Sequence, residues 1–332
     1  MPVKVLIIDD VATNRIVLKV KLAAASYEVH QACSGEEGVK IAEREKPDIY
    51  VVNADLEGES SVDVIKRLAA LSVGQQANTI ALSEKDCAEN RLDLLRAGAF
   101  DVLTKQLCES LFLARMRSLS RGLHDRKDLA LTTDTADALG FDEPTRPFTM
   151  RGRICALNAQ IPQLRTSLQS LVANCTHDVE FCEPGSGSQK EAPRNIGTPD
   201  VVLVPIDGDA DQAGLTHLAE LRLTDPTRHA RLIAVLSDTN TALAGRALDL
   251  GADDVVGFQA NTVEAEIRIS RQLHGKRTED SLRQRLQNSL EAAVTDPLTG
   301  LYNRRYALSA LGKMADSLMR QGGCFAVMVA DL

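Results

Sequence analysis

Over the first 120 residues or so, short apolar runs rich in Val, Ile and Leu alternate with longer amphipathic stretches. The pattern predicts strands at residues 3–8, 27–31, 48–52, 79–82 and 101–103. The stretches between them, such as the one carrying Ile16, Leu18, Val20 and Leu22, read as helices. Five β-α units in succession specify a parallel sheet with helices on both faces, because parallel strands need crossover connections. Sheets of this kind place their chemistry at the carboxyl ends of the strands.

From about Gly122 to Met150 the periodicity fades into Thr, Asp, Gly and Pro, with Pro144 and Pro147 near its end, and residues 124–150 read as a linker. The first pattern then returns. Pro47-Asp48-Ile49 is matched by Pro199-Asp200-Val201, and the run from Ala97 to Val102 by the run from Leu250 to Val255. The strand at residues 5–8 has a partner at 154–157. Near-constant offsets in three separate segments indicate a duplicated domain. The Gly/Ser/Pro-rich residues 183–199 stand where the first copy has a helix, which is expected to be lost or shortened in the second. Residues 262–294 form an uninterrupted helical pattern with Gly275 as its weak point. Leu282, Leu286, Leu290 and Ala293 share one face of it, so this helix is expected to close the second domain and continue as a stalk.

Composition narrows the possibilities. Hydrophobic residues at 44% and charged residues at 25% fit a folded globular protein. No apolar run approaches the ~18 residues a membrane span needs, and no signal peptide precedes Val3, so a cytoplasmic location is expected. A net charge of −8 argues against a general nucleic-acid surface. The seven cysteines, Cys33, Cys87, Cys108, Cys155, Cys175, Cys182 and Cys324, are scattered with no CxxC pair and read as small buried apolar residues.

The candidate chemistry lies at the strand ends. Asp9 and Asp10 follow directly on an apolar strand, and two adjacent carboxylates repel unless solvated or neutralised by a cation such as Mg²⁺. Ser83 ends the fourth strand and Lys105 follows the fifth, so these groups converge on one edge. In this order and spacing the residues resemble the receiver domain of response regulators. The resemblance implies that Asp9 and Asp10 bind Mg²⁺, that Ser83 contacts a phosphoryl group and that Lys105 pairs with it. The phosphoacceptor position departs from the family pattern: the run from Pro47 ends on Asn53 where the family has Asp. An amide is a poor nucleophile toward phosphorus, having no charge and a delocalised lone pair. The pocket also loses one unit of negative charge, leaving Asn53 as a neutral Mg²⁺ ligand. Gln106 replaces the family's Pro after the Lys, and Asp55 lies close enough in sequence to be a substitute acceptor. In the second copy Asn158 and Ala159 replace the acidic pair, Pro205 the acceptor and Phe258 the Lys, with Leu236 or Ser237 at the hydroxyl position. That copy is expected to be an adaptor without phosphoryl chemistry.

After the stalk, Thr295-Asp296-Pro297-Leu298-Thr299-Gly300-Leu301-Tyr302-Asn303-Arg304-Arg305 reads as a helix stop and turn, followed by a helix over residues 306–319. The segment resembles the D-x-L-T-G-L-x-N-R-R opening of GGDEF domains, the diguanylate cyclases. Two receivers before such a domain is the layout of PleD-type regulators. The resemblance places Asp331, after an expected strand at residues 325–330, at the first of two Mg²⁺-binding carboxylates of the GTP site. The rest of that site is expected beyond Leu332, so the 332 residues alone are expected not to cyclise GTP.

The expected fold class is therefore α/β: two tandem flavodoxin-like (CheY-like) doubly wound domains, at residues 1–123 and 151–274. A stalk follows at 275–294, and the start of a GGDEF domain at 295–332. The resemblance implies a sensor histidine kinase as partner wherever the acceptor is Asp. It also implies GTP and cyclic di-GMP as ligands of the intact protein, and a homodimer. The rival reading is a non-enzymatic adaptor or dimerisation protein.

Overall fold

The computed structural model describes residues 2–72, 77–85, 87–105, 109–137, 151–159, 162–173, 175–182, 198–207, 212–225, 227–237, 240–257, 260–296, 298–324 and 326–328. The first repeat runs β1 (Lys4–Ile8), α1 (Ala12–Ala24), β2 (Glu28–Ala32), α2 (Gly35–Glu45), β3 (Ile49–Asn53), α3 (Ser61–Ser72), β4 (Asn78–Ser83), α4 (Ala88–Ala97), β5 (Asp101–Thr104) and α5 (Glu109–Asp137). The second runs β6 (Arg153–Leu157), α6 (Pro162–Val172), β7 (Asp178–Cys182), β8 (Val201–Ile206), α7 (Gln212–Leu223), β9 (Arg231–Leu236), α8 (Thr241–Asp249), β10 (Asp254–Gly257) and α9 (Thr262–Val294). Helix α10 (Arg304–Gln321) follows.

Each repeat has a five-stranded sheet, β2-β1-β3-β4-β5 in the first and β10-β9-β8-β6-β7 in the second, and every pairing is parallel. This is the doubly wound arrangement expected from the alternating pattern. Both faces are covered, so the strands read as continuous apolar runs. Leu6, Ile8, Tyr50 and Val52 pack on one side with Ile65, Leu68 and Leu94. Val5, Ile7, Ile49 and Val51 pack on the other with Leu22, Phe112 and Met116. Gly98 and Gly251 end α4 and its counterpart α8 at φ of +114° and +110°, a left-handed conformation open to glycine at no steric cost.

The chain divides into two compact units. The first holds both repeats, Met1–Asp125 and Thr149–Lys276. Within it, Leu111 and Ala114 of α5 belong to the core cluster of the second repeat, and Ile267 of α9 packs against that of the first. A buried ion cluster joins them. Arg115 on α5 reaches Asp101 at 2.7 Å and Asp254 at 2.9 Å. Arg268 on α9 reaches Asp101 at 2.8 Å, Asp254 at 3.1 Å and Glu264 at 2.9 Å. Burial raises the Asp101 carboxyl, but the Arg115 and Arg268 guanidiniums outweigh it and hold the group far below the usual carboxylate range. Arg271 donates to the Ala99 carbonyl at 2.6 Å and stacks on Phe100 at 4.5 Å; burial pushes its guanidinium down to about 10. At the rim Arg117 holds Asp249 through two hydrogen bonds.

The second unit comprises Arg126–Phe148 and Arg277–Leu332. Here α5 continues through Asp137, so part of the expected linker is helix: no Pro or Gly interrupts residues 123–137, and polarity alone does not end a helix. On the stalk part of α9, Leu282 and Leu286 are half-buried and Ser289 is buried, whereas Leu290 is exposed. The covered line therefore follows the expected stripe at Leu282 and Leu286 and leaves it at Leu290, where Ser289 is covered instead. The side chain of Ala293 lies outside the described residues. Residues 326–328 carry no strand; the rest of the expected strand at 325–330 falls outside the described residues. The segment 183–197, where the second copy was expected to lack a helix, is also outside the described residues. Among the described residues no helix is long and apolar enough to cross a membrane. Cys155 and Cys182 are buried, but Cys33, Cys87 and Cys324 are exposed, because they sit at the ends of elements and not on their apolar faces.

Candidate functional site

The carboxyl edge of the first sheet brings Asp9, Asp10 and Asn53 together. Asp9 follows β1, and its backbone N–H still pairs with the Ala32 carbonyl of β2. Its carboxylate turns inward, only 2% of the residue remaining exposed, and accepts from the Val11 backbone N–H at 2.8 Å and the Asn14 amide at 3.3 Å. Asn53 is the last residue of β3 and equally buried. Its amide Nδ2 donates to Asp10 Oδ1 at 2.8 Å, while its Oδ1 accepts from the Asp55 backbone N–H at 3.0 Å. The Glu57 backbone N–H adds a longer contact to Asp10 at 3.4 Å. Burial raises the Asp10 carboxyl, but the hydrogen bond from Asn53, the backbone donors and the charge of Lys105 together bring it below the ordinary value.

The other expected members flank this cluster without joining it. The Ser83 hydroxyl donates to the Lys85 carbonyl at 3.0 Å. Lys105 lies 3.5 Å from Glu84 Oε1. Asp55, the candidate substitute acceptor, accepts from the Glu84 backbone N–H at 2.8 Å and so holds the loop after β4. Gln106, Phe258 and Asp331 lie outside the described residues.

Sheet register fixes the counterparts in the second repeat. Ile49 pairs with Asn78 and Val201 with Arg231. Counted from these, Pro205 matches Asn53 and Leu236 matches Ser83, which removes the choice between Leu236 and Ser237. From Val5 opposite Ile49 and Ile154 opposite Val201, Asn158 and Ala159 match the acidic pair. At the matched positions the second edge thus presents the pyrrolidine ring of Pro205, the alkyl chain of Leu236 and the amide of Asn158, none of which is a carboxylate.

The implied cation fits the first edge poorly. Asp9 and Asp10 supply carboxylate oxygens, but Asn53 turns an N–H and not an oxygen toward Asp10, and its own oxygen is already engaged. Among the described residues no group of three or more His, Cys, Asp or Glu side chains is placed to hold a metal ion.

Sequence reasoning missed several contributors. Arg15 donates to the backbone carbonyls of Asp9 and Asp10 at 2.7 and 3.0 Å, fastening the turn that carries them. The ion cluster between the repeats was missed too, although the recurrence of Asp101 and Arg115 as Asp254 and Arg268, at one offset, was a legible signal.

A family model described as the response regulator receiver domain matches residues 5–117. The chain is 28% identical over 335 residues to Response regulator PleD of Caulobacter vibrioides (strain NA1000 / CB15N), covering all of this chain and 72% of that protein. It is 30% identical over 177 residues to Response regulator MprA of Mycobacterium sp. (strain KMS), covering 52% of this chain and 74% of that protein. Among solved structures, the response regulator receiver domain protein (CheY-like) from Methanospirillum hungatei JF-1 matches with 22% identity and a TM-score of 0.34, over 36% of this chain and 96% of that one.

Proposed function

Since this chain belongs to the response regulator family, we propose that it is the regulatory part of a PleD-type regulator governing cyclic di-GMP synthesis, and that its first receiver takes no phosphoryl group in the usual way. Receiver domains in general accept phosphate from a donor such as a histidine kinase and bind Mg²⁺ at that site. In this chain the position that would become an acyl phosphate is an amide, which has neither the charge nor the free lone pair to attack phosphorus. The second receiver serves as a rigid adaptor, its strand ends holding Pro205 and Leu236 in place of reactive groups.

The observation that carries the cyclase reading is the single helix α9, which leads from the second receiver to the D-x-L-T-G-L-x-N-R-R segment. The local geometry suits a rigid lead-in to a further module. Asp296 Oδ1 accepts from the backbone and hydroxyl of Thr299, both at 2.9 Å. Gly300 takes a left-handed φ of +69°, and Asn303 caps α10 through the Tyr306 N–H at 2.9 Å. In the complete reaction two GTP are joined by attack of each 3′ hydroxyl on the α-phosphorus of the partner nucleotide, the hydroxyl proton being lost and one pyrophosphate leaving at each step. Each catalytic module holds one GTP, so two must face each other. Asp331 is the residue of this chain that the resemblance assigns to the nucleotide's metal. Receiver association, passed on by α9, would set how often the modules meet.

A non-enzymatic adaptor is the second reading, favoured by the loss of the acceptor in both repeats. Protein carrying this chain with a complete catalytic module should convert GTP to cyclic di-GMP, followed by chromatography. Folded, GTP-replete protein that yields no product would favour the adaptor.

A further inference from the structure

We infer that the Asn53 amide takes the place of the divalent cation in the first receiver, so that Asp9 and Asp10 are held in one arrangement without metal. The inference rests on reading residues 9, 10 and 53 as the receiver's reactive cluster, and it is independent of the cyclase proposal.

Two adjacent carboxylates, Asp9 buried and Asp10 half-buried, need compensation. Here hydrogen-bond donors supply it: Val11 N–H and Asn14 Nδ2 on Asp9, Asn53 Nδ2 and Glu57 N–H on Asp10. The orientation of the Asn53 amide is fixed at both ends. Turning it over would set its carbonyl oxygen against the Asp10 carboxylate and its NH₂ against the Asp55 N–H, replacing two attractive contacts by two repulsive ones. A magnesium ion requires oxygen ligands in near-octahedral array. For Asn53 to turn its oxygen toward Asp10, the amide must rotate and give up the bond it now donates there. The amide therefore stabilises the Asp10 carboxylate by a hydrogen bond and opposes metal entry at the same time.

An Asp at this position would behave in the opposite way. One carboxylate oxygen could keep the bond from Asp55 N–H, but the other would face Asp10 Oδ1 at the 2.8 Å now spanned by a hydrogen bond. Only a proton or a cation relieves such a contact. A substitution that restores the family residue should therefore make folding stability depend on metal, because a ligand bound only by the folded state stabilises it by mass action.

Thermal unfolding of this chain, of Asn53→Asp and of Asn53→Ala, each in EDTA and in millimolar Mg²⁺, tests this. The unaltered chain should show the same midpoint in both conditions. Asn53→Asp should melt several degrees lower in EDTA and recover most of the loss with Mg²⁺. Asn53→Ala, which removes the amide without adding charge, should gain a smaller Mg²⁺ response. If either variant fails to fold, the side-chain amide resonances of Asn53 in the unaltered chain carry the test: substoichiometric Mn²⁺ should leave them unbroadened. A Mg²⁺ shift in the unaltered chain as large as in Asn53→Asp, an Asn53→Ala protein indifferent to Mg²⁺, or broadening of the Asn53 amide by Mn²⁺ would each overturn the inference. Labelling by a phosphoryl donor is a separate readout, so failure of the silence proposed above and failure of this inference are distinguishable.

Discussion

Arg268, on the helix that closes the second receiver, places its Nη2 2.8 Å from Oδ1 of Asp101, the first residue of the last strand of the first receiver. Both side chains are almost wholly buried. A buried pair is weak evidence for net stability, since desolvation offsets much of the attraction, but removing one partner leaves an uncompensated charge. Arg268→Ala should therefore destabilise the two-receiver unit by about 3–5 kcal/mol in urea unfolding. Arg117→Ala, which breaks a half-exposed pair with Asp249, should cost no more than about 1 kcal/mol. Equal costs would mean that the central cluster is solvated.

Asp101 of this cluster and, outside it, Asp253, which pairs with Arg222 and Arg231, set an acid limit. Asp101 and Asp253 both titrate below their ordinary value of 3.8 in the folded chain, because flanking arginines outweigh burial. A carboxyl with a depressed folded pKa contributes stability that is complete above its unfolded pKa and vanishes as pH falls through the folded one. These two groups should thus cause no loss between about pH 7 and pH 5, and a progressive loss below about pH 4. Urea midpoints across that range would show it; a decline already complete by about pH 5 would point to other groups.

Incubation with acetyl phosphate or beryllofluoride should leave the mass and the oligomeric state of the chain unchanged, whereas Asn53→Asp should gain labelling in the presence of Mg²⁺. A stable adduct mapped to Asp55 would identify that residue as the acceptor and end the proposal of a silent receiver. The engagement of Asp55 with the Glu84 N–H argues for silence.

On the stalk, Leu286 is half-buried while Leu290 is 60% exposed. Leu286→Ser should lower stability by about 1–2 kcal/mol, in proportion to the area it covers, and Leu290→Ser by close to nothing. If Leu290 becomes covered when two chains associate, Leu290→Ser will weaken self-association in sedimentation equilibrium while leaving the melting of the dilute chain unchanged. No change in either quantity would assign Leu290 to a solvated face.

The inner strands were legible because fully covered parallel strands are apolar without interruption, whereas the edge strands β2 and β7 are partly exposed and mixed in polarity. The expected strand at residues 48–52 appears at Ile49–Asn53, and the others expected in the first repeat are displaced by as little. The far end of α5 was not legible. Its Thr- and Asp-rich residues have weak helix preference, and their polarity resembles that of a loop. At the candidate site the positions of Asp9, Asp10 and Asn53 could be read from spacing, but the sense of the Asn53 amide could not, since it depends on a backbone N–H two residues further on. Ser83 and Lys105 were placed on the correct edge, yet Ser83 donates to the Lys85 carbonyl and Lys105 forms an ion pair with Glu84, neighbours that only loop geometry could bring to them.

The ion cluster pairs like with like across the two repeats: the Asp and Arg of one copy contact the Asp and Arg of the other in nearly reciprocal fashion. A contact of that form is self-complementary, the kind that relates two identical subunits about a two-fold axis. In a single polypeptide the two halves are tethered, so their encounter is intramolecular, at an effective concentration set by the connecting segment and not by the amount of protein present. The paired arrangement of the two receivers therefore survives any dilution, and whatever concentration dependence the protein shows must arise from surfaces other than this one.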